Sequence, residues 1–193
     1  MFKAARLASV SAVILMTGVV AACAGGQTAS KGENPMVGGA AMYEEKNIIE
    51  NAVNSKDHTT LVAAVKAADL VDTLQGKGPF TVFAPVNSAF ADLPPGTVET
   101  LLKPENKGTL TKILTCHVVA ADAMSAAIKK MVAADGGVHT VNTVGGCQFQ
   151  AMYDGSKLMI KDGKGGIATV TIADVKQSNG VIHVIDKVLL PGS

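Results

Sequence analysis

Phe80-Thr81-Val82-Phe83-Ala84-Pro85-Val86-Asn87-Ser88-Ala89-Phe90 is the stretch from which the rest of the chain is read. Phe80, Val82 and Ala84 alternate with Thr81 and Phe83, which predicts a strand with apolar side chains on both faces. Pro85 removes the next ladder donor and ends it. Asn87 is suited to cap a short helix carrying Ala89, Phe90 and Leu93, because its side-chain oxygen can accept a backbone N–H two or three residues on. The stretch is a strand-to-helix corner with two phenylalanines turned inward.

On the N-terminal side of this corner, Glu44 to Val53 sets Ile48, Ile49, Ala52 and Val53 on one helical stripe. Asp57 is placed to cap a second helix with Leu61, Ala64, Val65 and Ala68 inward. Asp69 to Leu74 adds a further turn before Gly76-Lys77-Gly78-Pro79 breaks the pattern. On the C-terminal side, Thr97 to Leu102 and Pro104 to Leu114 read as short helices and Cys116 to Val119 as extended. Asp122 then caps a helix bearing Met124, Ile128, Met131 and Val132. From Val138 the period changes to two, in segments Val138 to Val144, Cys147 to Tyr153, Lys157 to Lys161, Ile167 to Val175 and Val181 to Leu190. Asp154-Gly155, Asp162-Gly163 and Asn179-Gly180 supply the reversals between them. Helices early and strands late predict an α+β domain over residues 44–193, its N-terminal helices packed on an antiparallel β meander with the Thr81 strand inserted among the late strands.

The 193-residue chain begins with Lys3 and Arg6, an apolar run from Leu7 to Val20 and then small residues. Residues 1–22 therefore read as a secretory signal, too short for a confident membrane span. Val20-Ala21-Ala22-Cys23 is similar to the bacterial lipobox, which would make Cys23 the lipidated N-terminus; ordinary cleavage at the same small-residue site is the alternative. Several acyl chains would hold the protein at a membrane, since each buried methylene adds about 0.8 kcal/mol. Residues 23–43 offer little to bury and read as a flexible tether.

Formal net charge is +1, with 17 basic and 16 acidic residues dispersed, so nucleic acid is not an expected partner. Aromatic content is 4% with no Trp, which argues mildly against a dedicated carbohydrate groove. The four histidines lack metal-ligand spacing and no Cys-x-x-Cys occurs, so neither a metal nor a cofactor is expected. Cys116 and Cys147 are either an exported domain's disulfide or two buried thiols on neighbouring strands. His117 and His183 read as hydrogen-bonded structural histidines. Asp186 shares a strand face with Ile182, Val184, Val188 and Leu190, so it must find donors; the expected partners are Asn87 or His117 in a small polar network. Ser88 near His117 is the one nucleophile candidate for a hydrolase, but it lacks the Gly-x-Ser-x-Gly elbow. Gly163-Lys164-Gly165-Gly166 lacks the Ser/Thr and the following helix of a phosphate-binding loop.

Three stretches together resemble the signatures of fasciclin-like domains. Thr81 to Phe90 is similar to the first, Ser178-Asn179-Gly180-Val181-Ile182-His183-Val184-Ile185-Asp186-Lys187-Val188-Leu189-Leu190-Pro191 to the C-terminal one, and Leu114 to Val119 to the middle Tyr-His motif, with Cys116 in place of the Tyr. The resemblance covers about Glu44 to Pro191 and implies a non-catalytic role in extracellular adhesion. It also implies an adhesive surface at Asp174-Val175 and around His117. The leading expectation is a lipid-anchored module of the outer membrane or cell surface, attaching cells to one another, to matrix or in a biofilm through a protein or polymer partner. A periplasmic protein binding a small ligand or envelope polymer, in an apolar pocket between helices and meander, is the alternative. A weak hydrolase is a third reading.

Overall fold

The computed structural model describes residues 34–192; the leader over 1–22 and the lipidation candidate Cys23 lie outside the described residues. The elements in order are β1 (Met36–Val37), β2 (Ala40–Ala41), α1 (Ile48–Ala52), a 3-10 turn (Lys56–His58), α2 (Thr59–Ala67), α3 (Val71–Gln75) and β3 (Phe80–Pro85). Then come α4 (Asn87–Ala91), α5 (Thr97–Leu101), a second 3-10 turn (Pro104–Asn106), α6 (Lys107–Cys116), β4 (Val118–Val119) and α7 (Ser125–Ala134). The chain closes with β5 (Val138–Asn142), β6 (Gln148–Asp154), β7 (Lys157–Lys161), β8 (Ile167–Gln177) and β9 (Gly180–Ile185). The architecture is a single α+β domain. Among the described residues no helix is long and apolar enough to cross a membrane.

Seven strands form one mixed sheet in the order β4-β3-β9-β8-β7-β6-β5. Strands β5 to β9 are the expected antiparallel meander. The corner strand departs from expectation: β3 is not inserted among the late strands but lies outside β9, parallel to it, with β4 antiparallel on its other edge. A parallel pair needs a long crossover and is buried on both faces, which accounts for the near-continuous apolar runs of β3 and β9. Phe80 sits opposite Gly180 and Pro85 opposite Ile185. Gly180 is required there, because a Cβ would lie 1.9 Å from the carbonyl oxygen of Phe80.

The two faces of this pair carry separate cores. Val82, Ala84, Ile182 and Val184 pack with Ile48, Ile49, Leu61, Val65, Leu74 and Leu114 under α1, α2, α3 and α6. Phe83 and Ile185 point the other way, into Phe149, Ala151, Leu158, Ile160 and the α7 residues Ile128 and Val132. The sheet curls around this second core until its ends meet. Val144 N–H, just past β5, donates to the Val118 carbonyl of β4 at 2.8 Å, and Gly145 N–H donates to Thr115 at 3.0 Å. Cys116 and Cys147 form a disulfide across the same seam, with Cα atoms 5.4 Å apart. The free-thiol alternative is set aside, and neither cysteine lies on a strand: Cys116 ends α6 and Cys147 precedes β6. Gly145 admits this approach, since a Cβ would stand 2.8 Å from Cys116 N.

Other boundaries move for identifiable reasons. Residues 34–43 are not tether: Val37 and Met42 are buried in the first core and the β1–β2 hairpin belongs to the domain. α1 is shorter than the stripe suggested because Asn47 and Glu50 form a capping box that starts it at Ile48, and Val53 is exposed. Asp57 and Asp122 cap nothing; the N–H groups at the start of α2 and α7 are met by side chains from elsewhere.

Replacing both Cys116 and Cys147 by Ala should lower unfolding free energy by about 3 to 4 kcal/mol, because the bridge closes a loop of sequence separation 31. Denaturant midpoints of the oxidised protein and the double variant measure it; coincident midpoints would show that the seam is held without the bridge.

Candidate functional site

Each residue singled out in the two signature stretches has an assigned place. Asn87, the first residue of α4, does not cap its own helix. Its Oδ1 accepts from Thr60 N at 3.0 Å and Thr59 Oγ1 at 3.2 Å, while its Nδ2 donates to the Lys56 carbonyl at 2.8 Å. It thereby holds the start of α2 against the corner. Asp186 is half-buried and accepts from Thr169 N at 2.7 Å, tying the end of β9 to β8. The expected network of Asp186 with Asn87 or His117 is not formed, because a backbone N–H on the adjacent strand satisfies the carboxylate first. His183 is fully buried, stacked on Phe83 with ring centroids 5.7 Å apart. Its Nδ1 accepts from Asp174 N at 3.3 Å and its Nε2 donates to the Ala123 carbonyl at 2.8 Å.

Of the adhesive surface implied by the resemblance, Val175 and His117 are removed by burial. Val175 has no exposed surface and packs in the first core, and His117 is 2% exposed. Their side chains present nothing to a partner. Asp174 adopts a left-handed backbone conformation, φ 60°, a region that Asp tolerates better than most residues. From there its carboxylate turns inward: Oδ1 accepts from Ser125 N at 2.6 Å and Oδ2 from the Ser125 hydroxyl. Asp174 caps the start of α7 from β8, in place of a side chain at the N-cap residue Met124, and is not a free edge charge.

Asn179, a turn residue by its Asn-Gly pattern, is the most connected polar side chain of the C-terminal signature. Its Oδ1 accepts from Ile48 N at 3.1 Å, and its Nδ2 donates to Leu74 O at 2.7 Å and Gly76 O at 3.0 Å. One amide thus joins the start of α1, the end of α3 and the β8–β9 turn. No local pattern reports such a role.

Ser88 and His117 are not set up as nucleophile and base. His117 Nδ1 donates to the Ile113 carbonyl at 2.8 Å and Nε2 accepts from Leu189 N at 2.9 Å, so neither nitrogen is open to take a proton from exposed Ser88. Burial pushes the His117 imidazole down to about 4, against the opposing pull of the Ile113 carbonyl and Asp162. Burial also lowers His58 and His183. Among the described residues no group of His, Cys, Asp and Glu is placed to hold a metal ion. The apolar void between helices and sheet, beside Leu61, Val65 and Val82, measures 40 Å³, far below the roughly 300–1,000 Å³ of small-ligand sites. An apolar cleft beside Phe90, Leu101 and Ile113 reaches 260 Å³. Larger concave features include open grooves on the surface, one of 820 Å³ around Lys77, Asp122 and Lys176, one of 380 Å³ around Lys129 and Lys157 and one of 300 Å³ around Thr60 and Pro94.

Buried neutral histidines make stability depend on pH. The unfolded chain protonates them near pH 6.5, the folded His117 only near 4. Between these values the unfolded state binds more protons, so stability is full above about pH 6.5 and falls as pH is lowered toward 4, by on the order of 3 kcal/mol from His117. Urea midpoints across this window should show the fall, and a His117→Gln variant should show a shallower one; equal slopes would remove His117 as its source. Asp174→Ala should destabilise the fold by about 2 kcal/mol through loss of the α7 cap and the left-handed backbone cost, and Asp174→Asn by less, as read by thermal unfolding.

Comparison with known proteins agrees with this geometry. A family model described as the Fasciclin domain matches residues 56–191. "Protein sll1483" of Synechocystis sp. is 47% identical over 161 residues, covering 82% of this chain and 81% of the relative. The "Cell surface glycolipoprotein MPB83" of Mycobacterium bovis is 33% identical over 159 residues, covering 80% of this chain and 64% of the relative. A solved FAS1 domain pair from the insect cell adhesion molecule fasciclin I superposes with a TM-score of 0.51 at 24% identity, over 67% of this chain and 43% of that one. The match of a family model to most of the chain, with signature residues that build one corner and one buried parallel strand pair, places this protein in the fasciclin-domain family.

Proposed function

We propose that this protein is an exported, non-catalytic adhesion module, anchored by lipid at Cys23 and binding a cell-surface or matrix polymer through its exterior. One observation carries the reading: the polar side chains of its signature stretches are directed into backbone hydrogen bonds that assemble the fold. His117, His183 and Asn179, with Asp174 just before the C-terminal signature, each engage main-chain groups of other elements. Such residues position a surface and do not carry out chemistry. The apolar void of 40 Å³ between helices and sheet disfavours a small apolar ligand held there, which needs a pocket several times larger. The relatives support location and role: one is named a cell surface glycolipoprotein, and the solved neighbour is a cell adhesion molecule.

Protease shaving of intact cells, paired with deletion of the coding sequence, tests this. Expected outcomes are degradation of the domain by added protease and reduced aggregation or biofilm on deletion, restored by the native chain and not by Cys23→Ser. Protection until the outer membrane is permeabilised, with attachment unchanged on deletion, would overturn it.

A further inference from the structure

The groove of 380 Å³ between the first turns of α7 and the β6–β7 hairpin is lined by Lys129 and Lys157, by the hydroxyl-bearing Ser156, Thr171 and Tyr153, and by no carboxylate. Both lysines are exposed. Tyr153 is anchored by its hydroxyl, which donates to the Ser125 carbonyl at 2.9 Å, and Lys129 Nζ lies 5.6 Å from the centre of its ring. Asp154 is the cross-strand partner of Lys157 but does not line the groove. Asp174, on the adjoining part of β8, has both carboxylate oxygens engaged by Ser125. Asp174 keeps its negative charge at the start of α7 and, after burial, adds to the raising of the Tyr153 phenol, so the two lysines supply the positive charge of the lining, with Asp174 behind it and Asp154 beside Lys157.

The site is concave and within the size range of small-ligand sites; it offers two cations, the Ser156 hydroxyl, an aromatic ring, and the acceptor lone pairs of Tyr153 and Thr171, whose protons go to the Ser125 and Val184 carbonyls, a set complementary to an anionic sugar. We infer that this groove binds an acidic sugar residue of a cell-envelope or matrix polysaccharide, with Lys129 and Lys157 facing its carboxylate or sulfate. The inference rests on the adhesion reading and names the chemistry of its partner. Solvent-exposed ion pairs are individually weak, so one groove holds one sugar loosely. Many copies on a surface meeting a repeating polymer bind firmly through avidity. That is the behaviour attachment requires: reversible at each contact and strong in sum.

The mature chain is tested for binding to polygalacturonate and dextran sulfate, with neutral dextran and poly-glutamate as controls, at low and moderate salt. Binding to either acidic polysaccharide is expected, weakening with salt and absent for dextran. The double variant Lys129→Gln, Lys157→Gln should lose about tenfold in affinity with unchanged thermal unfolding, while Lys77→Gln, Lys176→Gln at the other groove binds as the native protein does. Equal binding of poly-glutamate, equal loss in both double variants, or no preference over dextran would overturn the assignment. Attachment of cells carrying the same variants separates the two readings. Loss of attachment on deletion without polysaccharide binding removes the groove and keeps the adhesin. Groove-dependent binding with attachment unaffected by deletion removes the adhesin and keeps the groove.

Discussion

The parallel pairing of β3 with β9 is the constraint on which the remaining structure depends. It joins residues a hundred positions apart in register from Phe80 and Gly180 to Pro85 and Ile185, so the intervening helices and meander must fold back before it can close. The entropy of ordering that loop is offset by burial on both faces of both strands. Alternate residues serve different cores: Val82 and Val184 the helical one, Phe83 and Ile185 the one enclosed by the curled sheet. A substitution in this pair is felt on both sides of the molecule. The two most recognisable stretches of the chain are therefore the two halves of one structural joint, which explains why they carry so few exposed chemical groups.

Around this joint, three helix starts receive acceptors from far along the chain. Asn179 serves α1, Asn87 serves α2 and Asp174 serves α7, across separations of 131, 27 and 49 residues. Unsatisfied N–H groups at a helix start must find partners, and here the partner that satisfies them also fixes the helix against the sheet. Secondary and tertiary structure are coupled by the same hydrogen bonds. The buried histidines work similarly: His183 links β9 to the segment before α7, and His117 links α6 to the chain beyond β9. Polar residues in the interior serve as cross-ties between elements.

This division bears on function. The residues that the family resemblance marked as adhesive, Val175 and His117, are core, and Asp174 is a cap. Lys129 and Lys157, on an ordinary helix and a hairpin, carry no motif, and lysines on amphipathic elements are common. It is their convergence at one groove, beside the Tyr153 ring held by the Ser125 carbonyl, that distinguishes them.

Local periodicity was sufficient for the meander. Period-two runs and Asp-Gly or Asn-Gly reversals located its strands, with β7 at Lys157–Lys161 as read, because alternation and turn chemistry are properties of neighbouring residues. The α+β class, the inward Phe83 and the corner at Pro85 followed from the same short-range logic. Strand order, the Cys116–Cys147 seam, the inclusion of Val37 and Met42 in the core, and the true partners of Asp174, Asn87 and Asp186 were settled by packing alone. A hydrogen bond or disulfide between residues tens of positions apart leaves no local pattern: any acceptor of suitable reach would serve, and which one arrives depends on where the folded backbone brings it.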